Sequence, residues 1–177
     1  MATNDSASNI ELTSIGVSAE ALPGKKICRE KILEDLTDVN LSYFHFQDVE
    51  AKRLTFSKCD FRHCVFERCY FREATFKNCD FTGSRFIECN LRNAKLITCK
   101  IEYTTYRGTA LDRREFAANL PYWENVRADV SRSLRMNAQG LGDAAGVNFF
   151  IDTEITGTLE HWWKAFRGQG ELLPTEI

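Results

Sequence analysis

The chain has 177 residues, of which 44% are hydrophobic and 27% charged, a composition typical of soluble globular proteins. Its net charge of −2 and pI near 6.0 exclude a polybasic nucleic-acid-binding chain and an acidic tail protein. No apolar run approaches the ~18 residues of a membrane span, and the N-terminus has neither a basic start nor an apolar core. We therefore expect a cytoplasmic protein.

The first residues of the chain carry no hydrophobic period. Residues 1–26 mix Ser, Thr, Asn, Ala and Gly, and we predict that they form a disordered N-terminal tail. From Ile27 to Leu33 the apolar residues lie outside the register that follows. We expect this segment to cap the N-terminal end of the next domain, which we place at residues 27–120.

A period of five residues dominates the middle of the chain. All sixteen positions at intervals of five from Leu36 to Leu111 are apolar or aromatic, and eight of them are Phe. This period fits neither an α-helix, where i and i+5 differ by ~140°, nor a flat strand, where odd steps alternate faces. The chain must turn a corner every five residues, so that four sides make a coil of twenty residues. The predicted core includes seven consecutive phenylalanines: Phe56, Phe61, Phe66, Phe71, Phe76, Phe81 and Phe86.

A second column, mostly of small residues, precedes each apolar centre by two positions and contains six of the seven cysteines. An odd number of cysteines in an unsecreted chain argues against a disulfide framework. A zinc site is also disfavoured, because ligands stacked ~4.8 Å apart cannot converge at ~2.3 Å. We therefore expect no metal and no cofactor, and predict that these cysteines are buried structural residues: Cys59, Cys64, Cys69, Cys79, Cys89 and Cys99.

The repeat units resemble those of the pentapeptide-repeat family. Cys-Asp-Phe-Arg-His (59–63), Cys-Asp-Phe-Thr-Gly (79–83) and Cys-Asn-Leu-Arg-Asn (89–93) match its pattern of a small residue, Asp or Asn, Leu or Phe, and two variable residues. The resemblance implies an all-β solenoid, a right-handed quadrilateral β-helix of about four coils over residues 34–113. Large residues at Phe44 and Leu54 and a small one at Ala51 predict an irregular first coil.

Residues 121–177 are predicted to form a C-terminal α-helical hairpin. Apolar residues three and four apart predict a helix from Trp123 to about Gln139, and Asp143 can cap a second helix with a break near Gly157. The pair resembles the helices that follow the repeats in bacterial ion-channel-associated pentapeptide-repeat proteins. The second helix has one apolar face, made of Val147, Phe150, Ile151, Ile155, Leu159, Trp162 and Phe166.

The charges point to one side of the coil as a candidate binding surface. Residues 50–111 carry a net charge of +5, whereas the segments before and after them are acidic. Lys52, Arg72 and Arg92 occupy equivalent outward positions one coil apart, and Arg53 lies beside Lys52. They could form a basic surface for an acidic protein, anionic lipid or phosphates. The alternative is a solvated face in which acidic residues such as Glu73 are interspersed.

A second candidate surface lies near the end of the chain. Trp162, Trp163 and Phe166 stand beside two cations, a combination that suits a partner-docking element or peripheral membrane contact. The alternative is that Trp162 and Phe166 cap the last coil while Trp163 stays half exposed.

No catalytic constellation or phosphate-binding loop is found, so the sequence predicts no enzyme. We expect a scaffold that docks a protein partner, possibly a membrane-protein complex, and that can form a homodimer. Direct nucleic-acid binding is not expected. One alternative is a topoisomerase-interacting protein that imitates DNA, which the basic coil disfavours. Another is a soluble regulatory fragment of an ion-channel-like protein.

Overall fold

The computed structural model describes residues 26–167, so the predicted tail lies outside the described residues except for its last position. Eleven short strands lead into three helices, α1 (Arg113–Ala117), α2 (Glu124–Gly140) and α3 (Ala144–Phe166). The strands are β1 (Lys26–Cys28), β2 (Leu36–Thr37), β3 (His45–Gln47), β4 (Thr55–Ser57), β5 (Val65–Glu67), β6 (Thr75–Lys77), β7 (Arg85–Ile87), β8 (Asn90–Leu91), β9 (Lys95–Ile97), β10 (Thr105–Arg107) and β11 (Ala110–Leu111).

The strands stack in parallel on the sides of a square coil. One side is the sheet β1-β3-β5-β7-β10 and another is the sheet β2-β4-β6-β9. A third side carries the pair β8–β11, and single bridges such as Asp60 to Asp80 hold the fourth. Leu36 pairs with Phe56 and Phe56 with Phe76, each twenty residues further on. The predicted β-helix of about four coils followed by helices is therefore confirmed.

Aromatic rings fill the interior of the coil. Phe66 stacks between Phe46 and Phe86, with ring centroids 4.9 and 4.8 Å apart, and Tyr106 continues this column at 5.4 Å. Neighbouring columns meet edge to face, as Phe66 does with Phe71 at 5.6 Å. Each ring thus contacts the coils above and below it as well as the adjacent sides, and all seven phenylalanines of the predicted core are buried.

The corners of the coil use the left-handed region of the backbone. A positive φ recurs every five residues from Asp38 to Gly108, and only two of these fifteen positions are glycines. At position 83 the space available for a side chain also favours glycine. A Cβ at this position would lie 2.5 Å from Nδ1 of His63, whose ring stacks on Tyr43 one coil further back.

The cysteines do more than fill space. Each thiol in the small column lies within reach of a backbone oxygen on the preceding coil, as for Cys64 to Leu41 O at 3.0 Å and Cys89 to Phe66 O at 3.3 Å. Ser84 donates in the same way to Phe61 O. The column therefore supplies weak side-chain donors to backbone carbonyls of the preceding coil, in addition to the backbone pairing between coils. All six of these cysteines are buried and free, whereas Cys28 is exposed.

This arrangement predicts low thiol reactivity. Hydrogen bonds along the column raise the pKa of the Cys69 and Cys79 thiols and lower the pKa of their partners Cys59, Cys89 and Cys99, so it is burial that keeps all six from reagents. In the native protein we expect a chromogenic thiol reagent to modify Cys28 rapidly and the six buried thiols only after denaturation. A Cys28→Ser variant should lose the rapid phase. Fast modification of further thiols would contradict a closed coil.

Side chains, rather than another coil, complete the last rung. Asn119 accepts a hydrogen bond from Cys99 N at 2.9 Å and donates to Leu96 O at 3.0 Å. Asn137 of α2 does the same for both backbone groups of Thr109, each at 2.8 Å. An amide side chain offers the same donor and acceptor as a peptide group, so the two asparagines stand in for missing backbone.

At the other end, the segment expected to be a cap forms an additional rung. Ile27 pairs with Phe46, nineteen rather than twenty residues away, and Ile32 N donates to Glu50 O at 2.9 Å. Ile27 and Ile32 keep the step of five, and a step of four from Ile32 to Leu36 explains why they lie out of register. Both are buried on the first full coil.

The helical hairpin corrects one expectation. Asp143 caps α3 by accepting a hydrogen bond from Gly146 N at 2.9 Å, but the helix runs without a break through Gly157. Glycine is needed here because a Cβ would lie 3.0 Å from Glu124 O of α2. The predicted break is wrong, because close helix packing rather than backbone freedom accounts for this glycine. Ion pairs between the helices, including Arg135 with Glu154 at 2.7 Å, reinforce the contact.

Candidate functional site

The described residues contain little that could support catalysis or metal binding. Between residues 26 and 167, no group of three or more His, Cys, Asp or Glu side chains is placed to hold a metal ion. None of the helices in this range is both long enough and apolar enough to cross a membrane. Two surfaces of the described residues stand out as candidate sites.

The first surface is the outer side of the sheet β2-β4-β6-β9 together with the corner that leads into it. We call it the basic face and define it by residues 52–58, 72–78 and 92–98. Three successive coils place seven cations and one carboxylate there, a net charge of +6. The cations are Lys52, Arg53, Lys58, Arg72, Lys77, Arg92 and Lys95.

Few of these cations are neutralised. Nε of Arg53 lies 2.6 Å and Nε of Arg72 lies 3.1 Å from the carboxylate of Glu73, and the hydrogen bond from Arg53 lowers the pKa of that carboxyl. Among the described residues, the other five cations form no ion pair with an acidic side chain. They are Lys52, Lys58, Lys77, Arg92 and Lys95, and all but the half-buried Lys52 are exposed.

The basic face is bounded by acidic groups. On the first coil the equivalent positions hold Glu34, Asp35 and Asp38, and Asp112 follows Arg92 twenty residues later. On other sides of the coil, cations form ion pairs with nearby acidic residues, as Arg68 does with Asp48 at 2.7 Å. The excess charge of the coil is thus concentrated on one patch rather than spread around it.

Sequence reasoning found only part of this patch. It selected Lys52, Arg53, Arg72 and Arg92, which the structure places together along one corner. It missed three lysines on the same side of the coil: Lys95 at the start of β9, Lys77 at the end of β6, and Lys58 at the next corner. None of the three has a cation twenty residues before or after it, so following a single column from coil to coil does not find them; they appear only when neighbouring columns are compared side by side.

The second surface is the outer face of α3, which we define as Val147, Ile151, Ile155, Leu159, Trp162 and Phe166. Trp162 is 69% exposed, Phe166 84%, Leu159 63% and Ile155 52%. The expectation that Trp162 and Phe166 cap the last coil is therefore wrong. It is α2 that packs on the coil, while α3 packs on α2, so its C-terminal end does not reach the coil.

Only Phe150 of the apolar face predicted for the second helix is buried. Trp163 lies beside the outer face, 55% exposed, with its ring stacked against that of Phe166 at 6.1 Å. The guanidinium of Arg167 lies 4.7 Å from the centroid of the Trp163 ring. A continuous apolar surface with an aromatic end is thus left uncovered by the described residues.

This architecture defines a β-solenoid repeat protein that presents flat faces and a helical end. Residues 49–121 match the family model described as a pentapeptide repeat region. The β-helical part of the chain therefore belongs to the pentapeptide-repeat family.

Two solved structures are similar to parts of this chain. A pentapeptide-repeat protein, Rfr23, from the cyanobacterium Cyanothece 51142 is 20% identical, with a TM-score of 0.43 over 49% of this chain and 60% of that protein. A trypsin-treated form of QnrB1, a plasmid-mediated fluoroquinolone resistance protein, is 16% identical, with a TM-score of 0.20 over 49% of this chain and 65% of QnrB1. The chain thus spans less than two thirds of these structures. No curated protein matches the sequence.

Proposed function

We propose that this protein is a non-enzymatic scaffold that docks an acidic protein surface on its basic face. The observation that carries the proposal is the set of seven cations on three adjacent coils, five of which have no ion-pair partner within residues 26–167. Concentrated charge of one sign attracts a complementary surface and speeds its association.

The fold supports this role because the cations stand on a rigid platform. Lys77 and Lys95 are outward residues of paired strands, and their neighbours Phe76 and Leu96 are buried in the core. The backbone spacing between coils holds the Cα atoms of Lys52, Arg72 and Arg92 at ~4.8 Å intervals, so the backbone loses little conformational freedom on binding. A DNA-imitating surface would need the opposite sign.

A charge-reversal experiment tests the proposal. The variant Lys77→Glu, Arg92→Glu and Lys95→Glu changes only exposed side chains of the basic face. We expect proteins crosslinked by the wild-type chain in lysate of the source cells to be lost with this variant. We also expect the recovered partner to be acidic, and its complex to weaken as salt rises, because the contact is electrostatic.

A matched control separates the face from the total charge. Arg85→Glu, Lys100→Glu and Arg107→Glu change the net charge by the same amount on other sides of the coil, and this variant should keep the partner. Loss of binding in both variants, retention in both, or no partner for the wild type would each overturn the proposal. If the recovered partner is a nucleic acid, the docking of a protein is also refuted.

A further inference from the structure

The outer face of α3 carries an inference that goes beyond the proposed docking function and does not depend on it. Successive residues of a helix turn by ~100°, so this face lies opposite Gly146 and Gly157, which rest against Ala138 and Ala128 of α2. The face is about 30 Å long at ~1.5 Å per residue. It therefore points away from the rest of the described molecule along its whole length.

We propose that the outer face of α3 pairs with the same face of a second copy of this chain, with the two helices antiparallel and Ile155 at the two-fold axis. The size of the side chains along the helix supports this orientation. The N-terminal half presents Ala144 and Val147, and the C-terminal half presents Trp162 and Phe166. Bulk therefore increases steadily from one end of the face to the other.

Antiparallel pairing about Ile155 places large side chains opposite small ones. Phe166 then lies level with Ala144 of the second copy, and Ile151 with Leu159. Parallel pairing would instead set Phe166 against Phe166 and leave the small ends with a gap. Because protein interfaces pack as densely as interiors, the antiparallel arrangement fills space where the parallel one does not.

Charge favours the same arrangement. Asp143 stands at the N-terminal cap of α3 and Arg167 at its C-terminal cap. Under a two-fold axis at Ile155, these two residues of opposite charge lie level with each other across the pair. The opposed helix dipoles also attract, because the positive end of each helix lies beside the negative end of the other.

The charges of α3 argue against lipid as the occupant. The helix carries Asp152, Glu154 and Glu160 against Lys164 alone, a net charge of −2. Helices that bind anionic membranes are rich in basic residues on the polar face instead. The side chains of Trp162, Trp163 and Phe166 bear roughly 150–250 Å² each and are 55% to 84% exposed, so they offer about 400 Å² per copy. With the exposed parts of Ile151, Ile155 and Leu159, two such faces approach the ~1,200 Å² of the smaller stable interfaces.

The test uses the full chain with Cys28→Ser, so that no exposed native thiol among the described residues interferes. Sedimentation velocity across the micromolar range should show a dimer for this background. In the same background, the variant Ile155→Glu with Leu159→Glu should sediment as a monomer while keeping its far-ultraviolet circular dichroism. Met136→Glu, an equally exposed apolar position on α2, is the matched control and should leave the dimer intact.

Disulfide trapping tests the orientation. Ile155→Cys should crosslink to itself under mild oxidation, because the two copies of this residue meet at the axis. Ile151→Cys and Leu159→Cys should crosslink when mixed but not alone, because each lies about 12 Å from its own copy at ~1.5 Å per residue. Self-crosslinking of Ile151→Cys or of Leu159→Cys alone would instead indicate parallel helices and overturn the proposal.

Other outcomes would refute the second copy as the occupant. A monomer at every concentration, or a dimer that survives Ile155→Glu with Leu159→Glu, overturns it. Flotation of the monomer with phosphatidylserine vesicles would assign the face to a membrane. None of these variants alters the basic face, so failure here leaves the docking proposal to its own test.

Discussion

Replacing Phe66 with alanine should lower the free energy of unfolding by about 3–5 kcal/mol. The ring is 1% exposed and is held between Phe46 and Phe86, with edge contacts to Phe61 and Phe71 on the adjacent sides. The stacked rungs cannot collapse into the resulting cavity, because backbone hydrogen bonds fix their spacing. Urea denaturation followed by circular dichroism measures the loss.

Phe149→Ala is the matched control for this prediction. It makes the same chemical change on α3, where the ring is 38% exposed, and should cost much less. Equal losses at the two positions would mean that the stacked column does not dominate the stability of the coil. Phe66→Leu should fall between the two, since it keeps most of the buried apolar volume.

Replacing Asn137 with leucine should destabilise the protein by roughly 2–4 kcal/mol, because two buried backbone groups of Thr109 lose their partners. The change keeps the side-chain volume similar and removes only the amide. We expect the loss of stability to be greatest in the last coil. Hydrogen exchange at Thr109 N should accelerate strongly, while exchange at Phe66 N, two coils away, should respond only through global unfolding.

Gln139→Leu serves as the control for the capping role. This residue is on the same helix, two positions further on and exposed. The substitution should leave both the unfolding midpoint and the exchange of the last coil unchanged. If Thr109 N stays protected from exchange in Asn137→Leu, the amide of Asn137 is not what caps the last coil.

The sequence is sufficient to predict the coil because every centre of the repeat from Leu36 to Tyr106 is buried, and Leu111 is half-buried. From Leu36 to Leu111 one register places each apolar side chain inside, so the period, the number of coils and the inward column follow directly. The role of the cysteines does not follow in the same way. Their contacts with carbonyls 23 residues earlier depend on the spacing between coils, which no pattern along the chain displays.

The elements that follow the coil were harder to predict from the sequence, for a different reason. Phe116 keeps the five-residue phase, yet it lies in α1, where its ring covers Tyr106 edge to face. Apolar spacing predicted both helices of the hairpin but not which one meets the coil. That choice depends on Asn137 and Ser133 of α2 fitting the open backbone of the last rung. Only part of the basic face was predicted, because only one of its columns was followed from coil to coil.

The asparagine caps also limit how the coil can grow. A stack of parallel strands is a template, and a bare final rung would recruit another strand and so extend into a fibre. Asn119 and Asn137 form the hydrogen bonds that a further strand would form with the last rung. A side-chain amide, however, is not followed by a next residue that could pair with another strand. Templating stops at this point, and the chain can carry a long run of Phe-rich repeats without polymerising from its C-terminal end.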